Sequence, residues 1–145
     1  YANLSLICHD LSNISEYTVP FGNSIFKMMK SCLPGPYTFI LNANNMVPKL
    51  FKKKKKTIGI RVPDNNIPRE IVRLLGNPII TASIHQNNDF EYYSDPELIH
   101  EAFEDKVDIV IDGGVGGLEV STIIDCTNDD MELVRQGKGH VEKRD

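Results

Sequence analysis

No run in this chain approaches the ~20 consecutive apolar residues that a membrane-spanning helix needs, and its opening residues do not read as a signal peptide. Cysteine is scarce. Cys8, Cys32 and Cys126 are odd in number, widely spaced and outside any CxxC pair, which argues against a disulfide framework and a cysteine zinc site. His9, His100 and His140 share no metal-ligand spacing, so no metal is expected from the sequence. The chain has no excess of positive charge either: its formal net charge of −4 does not advertise nucleic-acid binding as a whole. Gly113-Gly114 and Gly116-Gly117 match neither the dinucleotide fingerprint nor a P-loop, and they read as a turn. There is no internal repeat, no heptad and no low-complexity tract beyond one lysine run.

What remains has the make-up of a globular domain. The 145 residues are 41% hydrophobic and 25% charged, enough to bury a core and suited to one domain spanning 1–145. The free thiols, two of them closing apolar runs, fit a cytoplasmic location. The chain opens at Tyr1, without methionine, close to a strand, so an N-terminal segment is expected to be lacking.

Short apolar runs bounded by turn residues predict strands over Leu4–Cys8, Tyr37–Leu41, Thr57–Val62, Pro78–Ser83, Val107–Ile111, Ser121–Cys126 and Met131–Val134. Helices are predicted from Ser24 to about Cys32, capped by Asn23, and from Pro68 to Leu75, stopped by Gly76-Asn77. A further helix opens at Ser94 or Asp95 and runs to about Glu104, and Pro48–Phe51 reads as a short helical turn. Ile25, Phe26, Met28 and Met29 give the first helix an apolar face. Strands and helices mix without strict alternation. That pattern predicts the α/β (α+β) class, with an open, twisted mixed sheet and helices packed on it.

Several residues stand out chemically. Arg61 faces opposite to Ile60 and Val62 by period-two alternation, where its guanidinium can fork onto a carboxylate or phosphate, or simply pair with a neighbouring acid. Ser83, Ser121 and Arg135 end or flank strands, positions from which hydroxyls, backbone N–H groups and a cation can hold phosphate oxygens. The alternative is that both serines satisfy local turns. Neither serine has a base beside it in sequence, so nucleophilic catalysis is not supported. His85 is a hydrogen-bond donor in a loop, read either as a ligand contact or as a solvated side chain. Lys52, Lys53, Lys54, Lys55 and Lys56 form the one compact basic feature. They can attract RNA phosphates or stand as a solvated loop, and only Phe51 lies close enough in sequence to stack on a base.

Read in order, these motifs resemble those of the YrdC family. Pro34-Gly35-Pro36-Tyr37-Thr38 resembles its Pro-Gly turn leading into a strand, and Gly59-Ile60-Arg61-Val62-Pro63 its Gly-x-Arg-x-Pro strand. Pro78 to Ser83, Asp108 to Gly114, Ser121 to Asp125 and Val134 to Gly137 follow in the family's order, so the resemblance runs from Ser5 to about Gly139. It implies a YrdC-like fold and the synthesis of threonylcarbamoyl-AMP, a nucleotidyltransferase reaction, from threonine, bicarbonate and ATP with Mg²⁺ as substrate. The product feeds the threonylcarbamoyladenosine modification of tRNA. By the same resemblance Arg61 would grip threonine's carboxylate or ATP, with Ser83, His85, Ser121 and Arg135 around the substrate or nucleotide. Two departures bear on this. The family's Lys-x-Arg motif lies upstream of Tyr1, and its Ser-Ala-Asn triplet is Ser83-Ile84-His85 here. Both move the chain toward the YciO-like branch, for which the alternative expectation is binding of double-stranded RNA or nucleotide without synthase activity.

Overall fold

Alternation along Thr57-Ile58-Gly59-Ile60-Arg61 sends Ile58 and Ile60 to one side of a strand and Gly59 and Arg61 to the other. The same division governs the whole sheet. The computed structural model describes residues 4–51, 56–84, 94–116, 120–128 and 130–141. Its elements are β1 (Ser5–Ile7), a short 3-10 helix (Ile14–Glu16), α1 (Asn23–Cys32), β2 (Tyr37–Asn42), α2 (Met46–Phe51), β3 (Thr57–Arg61), α3 (Asn66–Leu75), β4 (Ile79–Thr81), α4 (Pro96–Phe103), β5 (Thr122–Asp125) and β6 (Glu132–Arg135). Two compact units result, residues 1–82 with 121–145 and residues 83–120.

The first unit holds a six-stranded sheet in the order β4-β1-β3-β2-β5-β6. β1 runs parallel to β3 and β2 parallel to β5, while β1–β4, β2–β3 and β5–β6 are antiparallel. The sheet is mixed, as the irregular order of strands and helices predicts. Register sets the two faces. Leu6 lies beside Ile60, Ile60 beside Phe39, and Phe39 beside Ile124, so one row of large apolar residues crosses four strands. These residues and Leu41, Ile58 and Val62 are buried in one cluster with Ile25 and Met29 of α1, Val47 of α2, and Ile14 and Tyr17 around the 3-10 helix. Each such side chain contributes about 1.5–3 kcal/mol by leaving water.

Helix boundaries follow local chemistry. α1 begins at Asn23 with Gly22 as its cap, one residue earlier than the sequence predicts, and no side chain caps it. Its buried residues are Ile25 and Met29, four apart on one stripe. Phe26, expected on that stripe, is 40% exposed because the ~100° step per residue turns it away. α3 starts two residues before Pro68. Asn65 Oδ1 accepts from Ile67 N at 3.0 Å, and Pro68 falls within the first turn, where a missing N–H breaks no helical hydrogen bond. Gly76 ends the helix at φ +82°, a left-handed conformation that favours glycine. The Leu33–Pro34 peptide bond is cis.

In the second unit α4 starts after Asp95, whose Oδ1 accepts from Glu97 N at 2.9 Å. Gly114 adopts φ +92° and its N–H donates to Asp112 Oδ1, forming the expected turn. The strand predicted over Val107–Ile111 does not form. Val107, Ile109 and Ile111 are exposed, Ile109 to 76%, and nothing among the described residues pairs with this backbone as a strand. Strand preference in Val and Ile reflects packing against cross-strand neighbours, and here those neighbours are absent among the described residues. No helix among the described residues is long and apolar enough to cross a membrane.

Candidate functional site

The sheet face opposite the apolar row carries the polar chemistry. Phe39 pairs with Ile60 in antiparallel register, which sets Thr38 alongside Arg61. Thr38 also pairs with Ile123, and Ile123 with Arg135, so β6 brings its last residue to the same face. Ser121 lies just before β5, two positions from Ile123 and on that side too. Sequence alone named Arg61, Ser121 and Arg135, and the register gathers all three onto one face.

The contacts are specific. Arg135 donates from Nε and Nη2 to the Ser121 carbonyl at 3.1 and 2.9 Å, and from Nη2 to Ser121 Oγ at 3.3 Å. Ser121 Oγ lies 2.9 Å from Thr38 Oγ1. Arg61 differs from Arg135. Its Nε is buried without a hydrogen-bond partner, and it forms no ion pair with a described residue. Burial first, and the charge of Arg135 second, hold the Arg61 pKa below its ordinary value. Two guanidinium groups feel one another with no carboxylate between them among the described residues. Arg61 as a whole is half-buried, and it is the enclosed Nε that lacks the hydrogen bond a buried donor ordinarily makes.

Close packing shapes the floor. A Cβ on Gly59 would lie 3.0 Å from Ser5 Oγ and 3.2 Å from Thr38 Cγ2, so any larger residue would press on both hydroxyl-bearing side chains. Beyond Arg135 the chain is clamped. Thr122 Oγ1 donates to the Gly139 carbonyl at 2.6 Å and accepts from Gly137 N at 3.0 Å. Tyr37 Oη donates to the His140 carbonyl at 2.7 Å, and Gly139 packs against the Tyr37 ring with no room for a side chain. The clamp fixes the backbone that follows Arg135.

Other candidates lie elsewhere. Ser83 is exposed just past β4 and belongs to the second unit. His85 and Lys52–Lys55 lie outside the described residues, and Lys56 is exposed immediately before β3. Thr38 and the Thr122 clamp escaped the sequence reading. Thr38 was visible only as part of the Pro-Gly turn and the strand that follows it, with no role assigned, because its contact with Ser121 depends on which strands lie beside it.

The polar sheet face offers cationic and hydroxyl donors for phosphate oxygens, whereas no group of His, Cys, Asp and Glu among the described residues is arranged to hold a metal ion. A mixed sheet with a buried apolar face and a cationic, hydroxyl-bearing opposite face defines an α/β domain. The Sua5, yciO and yrdC family model, described as Telomere recombination, matches residues 1–137, and the chain belongs to that family. It is similar to the uncharacterized protein YciO of Escherichia coli, with 41% identity over 141 residues covering 97% of this chain and 68% of the relative. The crystal structure of E. coli YciO matches with a TM-score of 0.86 over the same shares of each chain. The chain is also similar to the threonylcarbamoyl-AMP synthase of Photorhabdus laumondii, 32% identical over 112 residues, or 77% of this chain and 57% of the relative. It shares the fold of Pyrococcus abyssi Sua5 complexed with L-threonine, at a TM-score of 0.78 and 24% identity over 94% of this chain and 40% of that one.

Proposed function

We propose that this chain is a nucleotide-handling YrdC-type domain, spanning 1–145, related to the synthesis of threonylcarbamoyl-AMP from threonine, bicarbonate and ATP for tRNA modification. The observation that carries the reading is the pair of guanidinium groups on one sheet face, with Arg61 Nε buried and unpartnered. The 32% identity to a threonylcarbamoyl-AMP synthase supports the choice of substrates. In this reading Arg61 grips threonine's carboxylate or a phosphate, and Arg135 with Ser121 holds phosphate oxygens. Adenylate formation displaces pyrophosphate from ATP, a step that depends on positioned phosphates and charge stabilisation and needs no protein nucleophile. The three free cysteines fit a cytoplasmic setting.

Calorimetric titration with ATP–Mg²⁺ and L-threonine, separately and together, tests this. Mutually enhancing binding of both is expected, and pyrophosphate release should require threonine and bicarbonate together. Nucleotide binding that ignores threonine would overturn the synthase reading. The second reading is then a YciO-like module that binds nucleotide or double-stranded RNA without forming the adenylate. It is favoured by the 41% identity to YciO and by His85 standing where the family carries asparagine. It predicts that changing Lys52–Lys56 to Gln cuts RNA affinity and flattens its salt dependence.

A further inference from the structure

We infer that Thr38 is a positioning residue that commits the Ser121 hydroxyl to donating, which restricts this site to ligands presenting acceptor oxygens. The inference rests on the proposed anion-handling reading and adds to it which atoms the ligand must offer. Thr38 is 7% exposed, and its Oγ1 has one hydrogen-bond partner among the described residues, Ser121 Oγ at 2.9 Å. Were Ser121 the donor in that pair, the Thr38 proton would be buried with no described acceptor, a costly arrangement. Thr38 therefore donates and Ser121 Oγ accepts. Arg135 Nη2 donates to the same oxygen at 3.3 Å, and a guanidinium has no acceptor capacity. A serine oxygen has two acceptor lone pairs and one proton. With both lone pairs engaged, only the proton is left for a ligand.

Arg61 and Arg135 are donor-only by chemistry, and Thr38 makes Ser121 donor-only by occupation. A carboxylate or phosphoryl oxygen satisfies all three groups, whereas an ammonium or amide N–H satisfies none. The absence of a side chain at Gly59 leaves the Thr38 methyl undisturbed, so the hydroxyl keeps its direction toward Ser121.

A double-mutant cycle on the full chain, read by calorimetric titration with ATP–Mg²⁺, tests the inference. Thr38→Val keeps the shape and removes the donor, and it should weaken binding about five- to tenfold, the worth of one hydrogen bond. Thr38→Ser should restore most of the affinity. In a Ser121→Ala background Thr38→Val should cost less than about twofold, because Thr38 then has nothing to direct. Equal losses in both backgrounds, or a Thr38→Val protein that binds like wild type, would overturn the role of Thr38 while leaving the site itself standing. Should Thr38→Val fail to fold, Thr38→Ala takes its place in the cycle with the same expectations. A wild-type protein that binds neither ATP–Mg²⁺ nor inorganic pyrophosphate would overturn the site and this inference together.

Discussion

The two faces of the central sheet are built from the same strands, yet opposite rules govern them. On one face Leu6, Ile60, Phe39 and Ile124 sit side by side and fully meet the demand for apolar burial. On the other, Thr38, Arg61, Ser121 and Arg135 leave donors in excess of acceptors, and one buried nitrogen has no partner. The first face is satisfied by the protein alone, whereas the second leaves the Arg61 Nε without a partner, as the proposed anion site would require. Under that proposal, stability and ligand recognition are separated across the thickness of one sheet.

Substitutions on the two faces should therefore fail differently. The largest effect belongs to the apolar face. Phe39→Ala removes a side chain with no exposure and should cost about 3–5 kcal/mol of unfolding free energy in denaturant titrations. That is a large share of the ~5–15 kcal/mol typical of a domain. Arg61→Met on the opposite face sharpens the contrast. It should weaken ATP–Mg²⁺ binding about ten- to hundredfold, while the melting temperature holds or rises, because a half-buried guanidinium whose enclosed Nε lacks a partner is replaced by an apolar chain. A melting temperature that falls as far as for Phe39→Ala would erase the distinction between the faces.

The smallest effect concerns the thiols at the ends of β1 and β5. Burial pushes the Cys8 thiol up to about 12 and Cys126 up to about 11, from an ordinary 9.0, with Asp10 and Asp125 adding to the respective shifts. Above pH 9.0 the unfolded chain loses these protons while the folded chain keeps them. The stability they contribute is whole below that pH and declines as pH rises toward about 12. Denaturant titrations across that window should show the decline, and Cys8→Ala should flatten it. In alkylation at neutral pH, Cys32, which is only partly buried, should react before Cys8 or Cys126.

Much of the fold was legible from residue order. Short apolar runs and turn residues located β1, β2, β3, β4, β5 and β6, and Gly76 and Asp95 marked helix ends where the structure has them. The failures have a common cause. Val107–Ile111 carries the residues of a strand, but a strand requires a neighbour to pair with, and composition does not record one. Phe26 was apolar and near the right stripe, yet its phase around α1 turned it outward. The site shows the same division. Arg61, Ser121 and Arg135 could be named one by one because each has a side chain suited to anions and a position at a strand end. Thr38 could not, since an ordinary threonine in a strand gains its role only from the oxygen placed 2.9 Å away by a residue far along the chain.

By itself, then, the sequence determined what is local: the strand and helix periods, the turns, the apolar inventory of the core and the identities of the cationic and hydroxyl groups. These depend on interactions among residues a few positions apart. Only the tertiary structure decided which strands are neighbours and in what register, and hence that Arg61 and Arg135 share a face, that Arg61 Nε is buried without a partner, and that Thr38 holds Ser121. Register is a property of pairs of segments, and a shift of one residue would turn every one of these side chains to the other face.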